Sequence, residues 1–97
     1  MSKTYRFKGE VWRWPGLGGW HFVSLPKMLS GDIRKLGRPR GVRFLRVRVT
    51  LGKSSWETAL FPHRESQTYL ISIKRKIREI ERVWENDKVN LRLELIK

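Results

Sequence analysis

A chain of 97 residues has room for one domain with one small core. Lys and Arg number 22 against 9 Asp and Glu, a formal net charge of +13, so a polyanion is the first partner to expect, nucleic acid ahead of an anionic membrane or an acidic protein. The absence of cysteine excludes disulfides, thiol catalysis and cysteine-ligated zinc, and no apolar run approaches the ~18 residues of a membrane-spanning helix.

In chain order, Thr4 to Val11 alternates, with Tyr5, Phe7, Gly9 and Val11 on one face and Arg6, Lys8 and Glu10 on the other. Period two of this kind predicts a half-buried strand. Pro15-Gly16-Leu17-Gly18-Gly19 breaks it and Trp20 to Leu25 begins a second strand, which makes a hairpin with a long loop. Pro26 suits the first position of a short helix, which Gly31 weakens to one or two irregular turns ending near Gly37. After the loop Gly37-Arg38-Pro39-Arg40-Gly41, Phe44 to Leu51 is the clearest strand, with Leu45, Val47, Val49 and Leu51 inward and Arg46, Arg48 and Thr50 outward.

Gly52-Lys53-Ser54 turns the chain into a strand from Ser55 to Phe61, which Pro62 is expected to stop. A polar loop from His63 to Thr68 leads to a strand from Tyr69 to Ile73, where Ser72 is a plausible N-cap for the next helix. Ile73, Ile77, Ile80 and Trp84 make one apolar stripe at helical spacing. Asn86-Asp87 ends it, and Val89 to Leu95 closes the chain with Leu91, Leu93 and Leu95 inward. About six strands and two short helices result, which predicts a mainly β, closed or nearly closed barrel. Val23-Ser24-Leu25-Pro26-Lys27-Met28-Leu29 is echoed in type by Ile71-Ser72-Ile73-Lys74-Arg75-Lys76-Ile77. The echo points to two similar strand–helix–strand halves.

The order Trp20-His21-Phe22-Val23-Ser24-Leu25-Pro26, Arg46-Val47-Arg48-Val49, Trp56-Glu57-Thr58, Tyr69 to Lys74 with Arg78, and Asp87-Lys88-Val89 resembles small bacterial proteins of the domain of unknown function nineteen-oh-five. The resemblance covers nearly the whole chain and implies a small double-split β-barrel, related in shape to the barrels of AbrB-type transcription regulators. In the AbrB-type pattern Gly-Asp precedes the last strand, and Asn86-Asp87 stands there in this sequence. The resemblance implies no biochemical role.

Enzyme signatures are thin. His21 and His63 have no partner at metal-ligand spacing, and no carboxylate pair or nucleophile motif is present. Glu79, Glu81, Glu85 and Asp87 read as neighbours balancing Lys76, Arg78, Arg82 and Lys88. Gly16-Leu17-Gly18-Gly19 reads as a hairpin loop, because a strand and not a helix follows it. Trp20, Trp56 and Trp84 are assigned to the core, whereas Trp12 and Trp14 suit either an exposed face or the core. Between Arg34 and Lys53 there are eight basic residues and no acidic one. Arg92 joins the outward face of Arg46 and Arg48 only if the two final strands of the halves are neighbours.

The leading expectation is a non-enzymatic, cofactor-free, cytoplasmic barrel, more readily monomeric than dimeric, that binds DNA or RNA mainly through phosphates. Its candidate contacts are Arg34, Lys35, Arg38, Arg40, Arg43, Arg46, Arg48, Lys74, Arg75, Lys76 and Arg78, with Trp12 and Trp14 stacking on unpaired bases. The alternative is a small-ligand or protein-interaction barrel with a concave apolar site around Trp12, Trp14 and Tyr69 and a dispersed, solvated basic surface.

Overall fold

The computed structural model describes residues 4–16, 18–36 and 45–96. The elements are β1 (Thr4–Arg13), β2 (His21–Ser24), α1 (Lys27–Leu36), β3 (Arg46–Leu51), β4 (Ser54–Ala59), β5 (Phe61–His63), β6 (Thr68–Ser72), α2 (Arg75–Glu81) and β7 (Lys88–Ile96). The seven strands form one sheet in the order β4-β3-β7-β1-β2-β6-β5, antiparallel at every junction.

The sheet curls because two stretches of chain each serve two partners. β1 pairs with β7 from Thr4 to Glu10 and with β2 from Val11 to Arg13. At the handover the Val11 N–H donates to the Asp87 carbonyl at 2.8 Å, and the Val11 carbonyl accepts from Asn86 N–H at 2.7 Å. β4 and β5 behave alike: β4 lies on β3, β5 lies on β6, and only Leu60 separates them, its N–H bonded to the Leu45 carbonyl at 2.8 Å. The two ends of the strand order are therefore consecutive in the chain, and the sheet takes the form of a curled half-barrel. Counting β4 and β5 as one bent strand recovers the expected six.

The alternation read from the sequence is what fills the interior. Val11, Val23, Val47, Val49, Ile71 and Leu93 point inward and have no exposed surface, joined by Leu25, Ile33, Leu60 and Ile73. Burying side chains of this size removes them from water at roughly 1.5–3 kcal/mol each. Helix α1 adds Ile33, and buried Ser30 accepts the Tyr69 N–H on its Oγ at 3.1 Å.

The echoed segments lie side by side. Val23 pairs with Ile71, flanked symmetrically by Phe22↔Ser72 and Ser24↔Leu70. Leu25 N–H donates to Tyr69 O and Ile73 N–H to His21 O, each at 2.9 Å. Strands β3 and β7 are also neighbours, paired from Arg46↔Ile96 to Thr50↔Arg92.

Four local expectations are corrected. Helix α1 runs ten regular residues, because Gly31 faces open space and the Ile33 and Ser30 contacts hold its inner side. Pro62 does not stop its strand but sits inside β5 opposite Tyr69, tolerated because β5 is the last strand of the order and its outer edge needs no donor. Ser72 stays in β6. The N-cap of α2 is Lys74, without a side-chain cap, so the seven-residue helix is held by packing. The helical stripe ends early: Arg82 adopts a left-handed conformation, Ile80 is exposed and buried Val83 takes the inward place. The turn before β7 resolves simply, since Asn86 has φ 77°, a conformation glycine and asparagine both adopt. Asp87 then caps it, accepting the Trp84 N–H on Oδ2 at 2.7 Å.

Gly9 marks a close approach of β1 to the Val23 side chain of β2. A Cβ there would lie 2.5 Å from Val23 Cγ1, one of the most buried atoms of the core. Gly9→Ala is expected to destabilise the protein by about 1–3 kcal/mol through overpacking, read as a lower denaturant midpoint at unchanged m-value. A midpoint within error of wild type would show that β1 can shift away from Val23.

Candidate functional site

The change of partner in β1 gives the sheet two outer faces of opposite character. Where β1, β2, β6 and β5 run together, Val11, Val23 and Ile71 point inward, so their neighbours point out. Three of those neighbours are aromatic: Trp12 lies opposite Phe22, and Phe61 opposite the aliphatic Leu70. Phe22 is the hub, with ring centroids 5.5 Å from Trp12, 5.8 Å from Trp14 and 6.4 Å from both Trp20 and Phe61. Trp12 is fixed by its Nε1–H, which donates to Ser24 Oγ at 3.0 Å. Leu70 is covered by these rings and not by the main core.

The rings wall a shallow groove of about 360 Å³ lined by Trp14, Trp20, Phe22, Phe61, Pro62, His63 and Leu70. Three of them keep much of their surface in solvent: Trp14 is 41% exposed, Trp20 57% and Phe61 37%. The glycine loop delivers Trp20 to this place, since Gly16, Gly18 and Gly19 all have positive φ. Its end is tied down by His21, whose Nδ1–H donates to the Gly19 carbonyl at 2.7 Å. That bond leaves Nε2 as the acceptor for Arg78 Nη1 at 3.3 Å.

Pro62 and His63 also line a second depression, of about 390 Å³, with Arg34, Arg64, Gln67, Thr68 and Tyr69. Arg34 is oriented there by donating to the Gln67 carbonyl at 3.2 Å. The aromatic groove thus borders a pocket with two arginines.

Other candidate residues do not gather. Arg38, Arg40 and Arg43 lie outside the described residues. Lys35 sits with Arg34 on the last turn of α1, where positive charge suits the helix dipole. Arg46 and Arg48 occupy the outer face of β3, and Arg48 is paired with Glu57 at 3.0 Å. Lys74, Arg75, Lys76 and Arg78 start α2, where Arg75 pairs with Glu79 at 2.9 Å. Arg78 turns inward and donates from Nε to the Ile73 carbonyl at 3.2 Å. Burial lowers its pKa below the usual arginine range, the Arg75 charge adds to this and Glu79 opposes it.

The expected balance of acids and bases around α2 also changes: Glu81 instead accepts from Ser54 Oγ at 2.6 Å, and Asp87 holds the Trp84 N–H. Arg92 does share the outward face of β3 and β7, its Nη2 3.5 Å from Thr50 Oγ1.

Two core assignments fail. Trp20 stands in the groove wall, and Trp84 is 54% exposed in the turn after α2, because the helix ends before its stripe is complete. Trp56 packs against the core. The sequence reading missed Phe22, Phe61, Pro62 and His63 as members of a site. Alternation with Val23 could have placed Phe22 outward, but nothing local announces that β5 lies across from β2.

The sequence model of the domain of unknown function DUF1905 matches residues 7–93, from within β1 to within β7. The chain belongs to this family. The match takes in every element of the DUF1905 fold described above, including the aromatic groove and both helices. No curated protein matches the sequence. Among the described residues no group of three His, Cys, Asp or Glu is placed to hold a metal ion, and no helix is long and apolar enough to cross a membrane.

Exposed tryptophans contribute little to stability wherever they touch no core. Trp84→Phe is expected to change unfolding free energy by less than about 0.5 kcal/mol, measured by urea denaturation. A loss of several times that would return Trp84 to a structural role.

Proposed function

We propose that this protein is a non-enzymatic binding module for single-stranded nucleic acid, with bases seated on the aromatic outer face of β1, β2, β6 and β5. The observation that carries the reading is the groove itself: three partly exposed rings, Phe61 on β5 with Trp14 and Trp20 directly flanking β1 and β2, on a chain of net charge +13. Stacking suits such a site because every base has a π-face, and each stacked base contributes roughly 1–3 kcal/mol. Arg34 and Arg64 border the groove at the distance of the next depression, suited to the phosphates that link stacked bases.

This reading moves weight away from the phosphate contacts expected of Arg46, Arg48 and the start of α2. Those residues occupy separate parts of the surface, and Arg48 and Arg75 already have carboxylate partners. With two or three phosphates engaged, the log–log salt slope for a single strand is about −1.4 to −2, shallower than the contact set read from sequence implies.

The fold is read here as the double-split barrel the family resemblance implies. Two features support it: the continuity of β4 and β5 through Leu60, and the partner exchange of β1 at Val11. With both halves in one chain the barrel closes without a second copy, so the working form is a monomer.

Fluorescence anisotropy with labelled single-stranded DNA and RNA, at two salt concentrations, tests the reading. Trp14→Ala and Trp20→Ala are each expected to weaken binding by about 5- to 150-fold without unfolding the protein, and duplex DNA to bind less tightly than a single strand. Equal affinity of wild type and both variants would overturn it. A second reading, a small planar ligand, is favoured by the groove volume of about 360 Å³ and its apolar lining. A mononucleotide that binds as tightly as an oligonucleotide would select that reading.

A further inference from the structure

The other outer face, on β3, β7 and β1, carries an asymmetry between the two halves. Val49 pairs with Leu93 across β3 and β7, and Arg48 and Arg92 each come directly before one of these two residues. Arg48 lies opposite Glu57 on one side and Glu94 on the other, and is bonded to Glu57 at 3.0 Å. Arg92 lies opposite Arg6 on one side and Thr50 on the other. Arg48 thus stands between two carboxylates in the register and is bonded to one of them. Arg92 faces a second arginine and a hydroxyl.

Like charges directly opposite on neighbouring strands destabilise the pair, yet here they stand together. Lys8 follows two residues after Arg6 on the same face, opposite Asn90. The nearest carboxylates along these strands are engaged elsewhere in the register, Glu94 opposite Thr4 and Arg48, and Glu10 opposite Lys88. Among the described residues, the ion pairs are Arg48–Glu57 and Arg75–Glu79, so Arg6, Lys8 and Arg92 are in none. Together with Thr50, Gly52 and Asn90 they line a depression of about 740 Å³.

We propose that Arg6, Arg92 and Lys8 form a site for a phosphate-class oxyanion, which supplies to Arg92 the negative charge that Glu57 supplies to Arg48. Two guanidinium groups side by side match an oxyanion with paired N–H donors, the lysine adds a point charge, and Thr50 and Asn90 offer neutral donors. The site is independent of base stacking, since it lies on the face that contains none of the groove residues.

Inorganic pyrophosphate is the probe. At ten times its dissociation constant it is expected to raise the melting temperature of the wild-type protein by about 6 °C, with chloride at matched ionic strength giving no such rise. Amide chemical shifts are expected to move at residues 4–8, 50–52 and 90–92. Arg92→Gln and Arg6→Gln should lose both effects while melting no lower than wild type without the anion, because the like-charge pair is gone. Trp14→Ala should keep both effects, which separates this site from the aromatic groove. Competition by a short DNA duplex would assign the site to backbone phosphodiesters, and its absence to a free phosphate compound; either supports an oxyanion site. An equal thermal shift in Arg92→Gln, or amide shifts centred on residues 74–78, would overturn the proposal.

Discussion

Everything distinctive in this molecule follows from the need of two long stretches of chain to satisfy their backbone groups on two different partners. Ten residues of β1 reach further than any one neighbour extends, so the strand leaves β7 and takes up β2. At the exchange, the Val11 N–H and carbonyl are both taken by residues 86 and 87 just before β7. A buried backbone group left without a partner costs free energy comparable to a lost hydrogen bond, so this pairing sets where the sheet must bend. Leu60 performs the same office between β4 and β5. Close packing of Gly9 on Val23 makes the crossing possible.

The bend separates two outer surfaces that a flat sheet would have joined. On one, cross-strand pairs bring Trp12, Phe22, Phe61 and Leu70 together. Tilted and edge-on ring contacts of this kind stabilise a cluster by about 0.5–1.5 kcal/mol per pair beyond burial. The cluster is stiff, because its rings stand on paired strands and one indole N–H is bonded to Ser24. On the other surface, charge predominates, and neutralisation is complete around Arg48 but not around Arg92. The stability lost to an unpaired arginine is small at an exposed site, where solvent and salt screen the repulsion.

The strands were legible because each inward position repeats every second residue: Tyr5, Phe7, Gly9 and Val11 in β1, Val47, Val49 and Leu51 in β3, and Val89, Leu91, Leu93 and Leu95 in β7. The failures share one cause. Pro62 is a breaker only where its missing N–H is needed, and that depends on β5 being an edge. Trp84 belongs to an apolar stripe only if α2 continues, and Arg82 in a left-handed conformation stops it first. Phe61 and Trp20 lie forty-one residues apart and share a groove wall only because β2 and β5 flank the same strand, β6. The basic stretch from Arg34 to Lys53 is continuous in sequence, whereas its described members are divided between a helix end, a strand face and a turn.

By itself the sequence determined the strand periods, the echo of Val23–Leu29 in Ile71–Ile77 and the excess of positive charge, since each is a local pattern or a sum over residues. Only the tertiary structure decided that the echoed segments pair with each other, that the rings of β1, β2 and β5 share one face, and that Arg92 meets Arg6 where Arg48 meets Glu57. Those outcomes rest on cross-strand register, which long-range backbone hydrogen bonds and the shape of the core select together. A one-residue slip in any of these ladders would turn the same side chains to the opposite face.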